Sequence, residues 1–577
     1  MRLPLLLLPL ALCACRPSND SAAAATTAAG APAAVSAPRA GDHAYHPIIA
    51  TADFAAHVER LASDEFGGRA PGSPGEQKTV EYIKSQFARI GLQPGNGEHW
   101  FQTVPMVRSV ANPSTVLHLA IGDTRQDLAF GTDMVVGTRS GKSRVELKDS
   151  PLVFVGYGIN APERGWNDYA GLDVRGKTVV MLVNDPGFAS GDPRLFDGKR
   201  MTYYGRWTYK FEEAARQGAA AALIIHDTPG ASYGWDVVRN SWSGPQYDLP
   251  VAADPSPRLP VQGWITGEAA QALFAAAGQD LARWRNAAGK PGFKPVPLPA
   301  TASLRLDSTI STAQSRNVLG LLPGREAADE AIVYMAHWDH LGTHEGEPGD
   351  NIYNGAVDNA TGVAALLELA EAFRHAPTPP KRSILFLAVT LEESGLLGSQ
   401  YYVTHPVIPL AKTVAVFNID ALAPIGKARD ITVVGKGNSQ LEDLLAKALR
   451  QQGRRLSEES NPAAGFYFRS DHFNFAKAGV PALYIDSGED LLEGGRAAGE
   501  AANRDYTLHR YHTPADQFDP ATWKLDGIVQ DLEALYAVGA GLANDGQWPA
   551  WRAGSPFKAA RDAMRPPAAA AGASPTR

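Results

Sequence analysis

The hydrophobic positions along this chain keep different periods in different regions. Between Ala52 and Leu92 they recur at helical spacing, with Phe54, Val58 and Leu61 on one stripe and Val80, Ile83, Phe87 and Ile90 on another, separated by the turn-rich GGRAPGSPG. Apolar residues three and four apart share a helix face, so this spacing predicts two helices joined by a Gly/Pro loop. From about Val107 to Pro299 short β-rich runs take over: PLVFVGYGI, KTVVMLV and AAALIIHD, with TYKFEEAARQGA between the last two reading as a helix. From about Ser303 apolar strands alternate with helices, which predicts an α/β fold: a mostly parallel sheet with helices on both faces. One of those helices runs from Thr361 to about Arg374, with Val363, Leu366, Leu367, Ala370 and Phe373 on one stripe, and stops before Pro377.

Length and composition divide the chain further. At 577 residues it exceeds one ordinary core and predicts a multidomain protein. The opening MRLPLLLLPLALCAC (1–15) joins one arginine to an apolar stretch too short to span a bilayer comfortably, and reads as an export signal. Leu12, Cys13 and Ala14 before Cys15 resemble a bacterial lipoprotein cleavage box. Cys13 is atypical there, which leaves a lipid anchor at Cys15 in the cell envelope and simple secretion both open. Because Cys13 and Cys15 are the only cysteines, the mature protein has no internal disulfide. Residues 16–45 are dominated by Ala, Ser, Thr, Pro and Gly and predict a disordered tether, and 551–577 a disordered tail of the same character. Between these lie a first part of the main domain (46–106), a β-rich insert (107–300) and the main part (301–550). The formal net charge is −7, and no basic run interleaves with aromatics, which argues against nucleic acid as a partner.

The candidate chemistry lies in the last of these regions. AIVYMA runs into His337, SILFLAVTL into Glu392 and Glu393, and TVAVFNI into Asp420, while GAVDNATG holds Asp358 and RYHTPAD holds His512. In open α/β sheets ligands sit beyond the carboxyl ends of the strands, so strand-end placement would bring these residues together. Two histidines and three carboxylates, with a spare glutamate beside one of them, are what a site for two zinc ions and one activated water requires. Singly, each has a plainer reading: a strand-end histidine, a helix cap at Asp358, a solvated glutamate pair, a loop histidine packed on Tyr511. The set carries the inference. Asp339, two residues beyond His337, is expected to orient its imidazole through the carboxylate. His340, His344, His405, His472 and His509 are expected to be loop or packing residues.

The motifs GGRAPGSPG, AHWDHLG, GAVDNATGVAALLELA, TLEESGLLGS, NID, SDHFNFAKAGVPAL and YHTPAD, in that order, resemble those of the co-catalytic dizinc aminopeptidases related to glutamate carboxypeptidase and the transferrin receptor. The resemblance implies a zinc exopeptidase fold and a peptide hydrolase with two zinc ions per chain. His337 and Asp420 would bind one ion, Glu393 and His512 the other, and Asp358 would bridge them. Glu392 would be the general acid/base and Tyr511 the oxyanion helper, and the Asp358–Asn359 peptide would be cis. The insert resembles a protease-associated domain. The substrates implied are peptides, cleaved at the N-terminus. A carboxypeptidase or dipeptidase of the same fold is the alternative and would need a cationic pocket, for which Arg469, Arg504 and Arg510 are candidates; a receptor-like binding protein is the reading from another class. Phe466, Tyr467, Phe468 and the loop from Gly488 to Arg504 are expected to line the substrate pocket.

Overall fold

The computed structural model describes residues 43–344, 346 and 349–565. The export signal, Cys15, most of the tether and the end of the tail lie outside the described residues.

The main sheet is built from β1 (Phe101–Ala111), β2 (Val296–Leu322), β3 (Ala327–His337), β4 (Arg382–Val389), β5 (Thr413–Ile419), β6 (Asp430–Val433), β7 (Arg455–Glu458) and β8 (Ala482–Asp486). Its spatial order is β1-β2-β4-β3-β5-β8-β6-β7. The four central strands β4, β3, β5 and β8 are mutually parallel, and antiparallel pairings flank them at β2–β4 and β8–β6. Continuous apolar runs such as SILFLAV form these strands because both faces are buried. Along β3, Ile332, Tyr334 and Ala336 enter one core while Val333 and Met335 enter the other.

The first core is closed by α1 (Thr51–Leu61), α2 (Pro74–Ile90), α3 (Thr361–Arg374), α4 (Leu441–Gln451) and α5 (Asp526–Asp545), through residues such as Phe54, Phe87, Leu366, Leu445 and Leu535. The second is covered by the helices Leu397–Thr404 and His472–Lys477, through Tyr402 and Phe475. α2 shows how the sequence sets its own ends. Ser73 Oγ accepts from the Glu76 N–H, Pro74 occupies the first turn, and Gly91 ends the helix at φ 88°.

The insert carries two cores of its own. Leu152, Phe154, Val180, Leu182, Leu223 and Ile225 fill one, while Val153, Val179, Met181, Ala222, Ile224 and Trp264 fill the other. Its central strands are parallel, Thr178–Leu182 and Val261–Ile265 flanking Ala221–Ile225. The positions 107 and 300 fall inside β1 and β2, which pair from Phe101↔Val318 to Ala111↔Ser308, and β2 then runs on into the insert's sheet. A continuous ribbon therefore joins insert and main sheet.

One expectation is corrected. The segment 551–577 does not begin as a disordered tail: Trp551 and Phe557 are buried, and Lys558–Met564 is helical. Trp551 Nε1 donates to the Gly479 carbonyl at 2.8 Å, and Arg561 reaches the carbonyls of Leu410 and Thr413. Two large apolar side chains outweigh an otherwise Ala/Pro/Gly-rich composition. Trp551→Ala should cost about 3–5 kcal/mol in denaturant unfolding; a change below 1 kcal/mol would show that the segment is not packed.

A second test concerns Glu368 on α3, which is fully buried and accepts the Ala50 N–H at 2.7 Å. Burial pushes its carboxyl up to about 8, against the Ala50 hydrogen bond and helped by the nearby charge of Asp53. The folded chain thus holds this proton to about pH 8, whereas the unfolded chain releases it near 4.5. Stability should therefore fall as pH rises from about 5 to 8. Glu368→Gln should flatten that part of a plot of Tm against pH, and an unchanged slope would refute the assignment.

Candidate active site

The strand ends deliver the expected residues to one place. His337 closes β3 in register with Val389 of β4, Glu392 and Glu393 follow β4, and Asp420 directly follows β5. Asp358 lies just before α3, and the Asp358–Asn359 peptide is cis. His512 comes from the loop after the helix Gly495–His509. Three non-glycine residues with left-handed backbone stand at these turns, Leu391 (φ 57°), Ala421 (φ 54°) and His512 (φ 57°). Such residues cost of order 1–3 kcal/mol each and persist only where the surroundings impose them.

Asp358 stands between two imidazoles. Its Oδ1 lies 3.3 Å from His337 Nε2, and its Oδ2 lies 3.2 Å from His512 Nε2. His337 Nε2 also faces Asp420 Oδ1 at 3.1 Å, and His512 Nε2 faces Glu393 Oε2 at 3.2 Å. Two donor groups thus share one carboxylate. Glu392 is placed so that one of its oxygens lies within 4.8 Å of ligand atoms of both His337 and Asp420. Tyr511 stacks on His512 with ring centroids 3.9 Å apart and keeps 46% of its surface exposed.

Electrostatics follows from this crowding. Burial alone would lower the His337 imidazole, yet the charges of Asp420 and Glu392 and hydrogen bonds to Asp358 and Asp420 raise it well above its ordinary range. His512 is likewise raised, to about 10, despite burial, by its bonds to Asp358 and Glu393. Burial, with the charges of Asp420 and Glu393 adding to it, raises Glu392 well above the usual glutamate range, and His337 only partly opposes this. The buried Arg69 guanidinium also faces this cluster, Asp358 and Glu393 among its neighbours. Nitrogen and oxygen donors converging with excess negative charge suit zinc.

Residues 317–537 match peptidase family M28. The matched segment holds His337, Asp358, Glu392, Glu393, Asp420 and His512. Among curated relatives, a Mycobacterium tuberculosis protein named as a probable lipoprotein aminopeptidase, LpqL, is 25% identical over 517 residues, covering 86% of this chain and 84% of the relative. The Bacillus subtilis aminopeptidase YwaD is 27% identical over 230 residues, 38% of this chain and 43% of that protein. Among solved structures, an aminopeptidase from Aneurinibacillus sp. strain AM-1 is 22% identical, with a TM-score of 0.46, covering 87% of this chain and 95% of the other.

Several residues around the site have roles that differ from expectation. The Asp339 carboxylate does not orient His337. The His337 Nδ1 instead lies 3.1 Å from the Asp339 carbonyl oxygen, with the carboxylate oxygen at 3.9 Å, while Asp339 Oδ1 accepts the Glu392 N–H. His340 is no bystander: its Nδ1 lies 2.7 Å from Glu393 Oε1, and it forms a second potential metal group with Asp358 and Glu393. His512 nevertheless faces both of those carboxylates directly through one nitrogen. Ser470 donates to Asp420 Oδ2 at 2.6 Å and accepts from Asn418 at 2.7 Å, which fixes the Asp420 carboxylate. Asn359 ties the Asp358 turn to the Asp420 turn, donating to the Ile419 carbonyl and accepting from the Ala421 N–H. Of the aromatic trio expected in the pocket, Phe466 is exposed, but Tyr467 is buried with Trp551 and Phe557. Nearness to the ligands in sequence was the one signal for His340; the sequence pointed to Asn359 only through its peptide bond to Asp358, not for its side chain.

Proposed function

We propose that this chain is a zinc-dependent aminopeptidase that removes N-terminal residues from peptides. The observation that carries the reading is the shared carboxylate: each oxygen of Asp358 faces a different imidazole, and each imidazole faces one further carboxylate. His337, Asp358 and Asp420 would hold one zinc ion, and His512, Asp358 and Glu393 the other. When bound, such a pair polarises the scissile carbonyl and makes water nucleophilic near neutral pH. Glu392 has an affinity for protons raised by burial and like charge, and it takes the proton of the attacking water and returns it to the leaving amine. Tyr511, half exposed beside His512, offers its hydroxyl to the carbonyl oxygen as charge develops there.

The match to peptidase family M28 supports peptide hydrolysis, and the names of LpqL and YwaD support removal from the amino end. A C-terminal exopeptidase is the second reading. A protein of Arabidopsis thaliana named as a probable glutamate carboxypeptidase, AMP1, is 24% identical over 371 residues, and the Arg469 guanidinium of this chain has a buried Nε with no partner among the described residues. Residues 107–300 form a protease-associated domain in this reading and restrict the site to peptides. Among the described residues no helix is long and apolar enough to cross a membrane. The chain is exported by its opening segment and held at the envelope through Cys15, as the lipoprotein name of LpqL would suggest for that relative.

Glu392→Gln should keep its zinc yet lose at least about 10²-fold in kcat, the lower end of a general-base contribution; near-normal turnover with intact metal would remove Glu392 from this role. With peptides blocked at either end, N-acetylation should abolish cleavage and C-amidation should not. The opposite pattern would establish the carboxypeptidase reading.

A further inference from the structure

The carboxylate shared by the two donor groups sits at the end of a turn that is held from distant parts of the chain as well as by its own neighbours. Residues 354–358 run from the short strand Ile352–Tyr353 to the helix α3, with Gly355 at φ 54°. Two residues from distant parts of the chain grip this turn from opposite sides. Arg69 is fully buried in the glycine-rich segment after α1. Its guanidinium donates to the Asn354 carbonyl at 2.5 Å and the Gly355 carbonyl at 2.8 Å, and also to the carbonyls of Leu61 at 2.9 Å and of Trp338, next to His337, at 3.0 Å. Asp516, four residues beyond His512, works on the amide side. Its two carboxylate oxygens accept the N–H groups of Val357 and Asp358, each at 3.0 Å, and its main-chain carbonyl accepts that of Ala356 at 3.1 Å. Tyr506 donates to the same carboxylate at 3.2 Å.

The carbonyls at the start of the turn therefore point to a buried cation, and the amides at its end to a buried anion. Arg69 gives all four of these bonds to neutral carbonyls, so its charge remains to offset the carboxylates around it, Asp516 and Asp358 foremost. Lysine could not make this pattern, because an ammonium lacks the planar fork that reaches several acceptors at once. Asparagine in place of Asp516 would turn one acceptor into a donor facing an N–H.

On the reading of Asp358 as a shared metal ligand, we propose that Arg69 and Asp516 are positioning residues: they hold the Asp358 turn by its carbonyls and its amides, so that the carboxylate is aimed between His337 and His512 before any metal arrives. Neither touches the reacting atoms.

The test uses the full-length protein, stripped of metal, with Asp516→Asn, Arg69→Lys and Arg69→Gly variants. Glycine suits the backbone of residue 69, whose φ is 54°. Zinc affinity by chelator competition should weaken about 10- to 100-fold in Asp516→Asn and Arg69→Lys, the range expected when partners of a metal ligand are lost. In the metal-free Asp516→Asn protein, peptides covering 354–361 should exchange amide hydrogen faster while those covering Arg382–Val389 stay protected. Millimolar guanidinium should restore zinc affinity to Arg69→Gly, which a general loss of packing would not allow. Wild-type zinc affinity in Asp516→Asn and Arg69→Lys, or unchanged exchange over 354–361, would overturn the proposal. Should Arg69→Gly not fold, the other two variants decide. Failure of the wild-type protein itself to bind zinc would instead overturn the metal reading beneath it.

Discussion

Four carboxylates, those of Asp358, Glu392, Glu393 and Asp420, converge at one end of a sheet, and the need to balance their charge governs the rest of the site. Two like charges about 4 Å apart repel by about 4 kcal/mol at an effective dielectric near 20, and burial adds a desolvation cost to each. The structure meets this with imidazole nitrogens aimed at the carboxylate oxygens, with His340 on Glu393, and with the buried guanidinium of Arg69 nearby. The raised proton affinity of His337 and His512 expresses the same imbalance. Two ions of a nitrogen- and oxygen-binding metal would balance the cluster, competing with protons for the imidazoles.

The fold can hold such a cluster because its own stability comes from elsewhere. β3, β4 and β5 are buried on both faces, and their alternate residues feed two separate cores, so the strand ends are fixed by packing that does not involve the site. Irregular backbone stands just past those ends, at Leu391 and Ala421, and also in the His512 loop and at the cis Asp358–Asn359 peptide. Cross-links then carry order from turn to turn: Asn359 joins the Asp358 and Asp420 turns, Asp339 joins the His337 and Glu392 turns, and Ser470 secures Asp420 from a further segment.

Much of this was legible in the sequence. Apolar runs ending in His337, Glu392 and Asp420 marked parallel strands and put those residues at their carboxyl ends, where the structure has them. The stripe Val363, Leu366 and Ala370 marked α3 to the residue. What was not legible depends on contacts between segments far apart in the chain. GGRAPGSPG announced a turn but not that Arg69 reaches residues 354 and 355; YHTPAD drew attention to His512, while the acid four residues on does as much for the geometry. Asp339 was read through strand alternation, which assumed that the chain stays extended past His337. The carboxylate instead accepts the Glu392 N–H, and the Asp339 carbonyl takes the place beside His337 Nδ1. Composition misled at 551–565, because two aromatic residues outweigh many alanines once a core is available to receive them.

The central claim, that the carboxylate cluster is balanced by two metal ions, is tested most directly by thermal unfolding of the metal-stripped protein during a stepwise zinc titration. A ligand bound only by the folded state stabilises it by about 2.7 kcal/mol at a hundredfold excess over its Kd. The account predicts that Tm climbs with added zinc and that, at protein concentrations far above Kd, the binding isotherm breaks at two equivalents per chain. A Tm indifferent to zinc, or a break at a single equivalent, would contradict it.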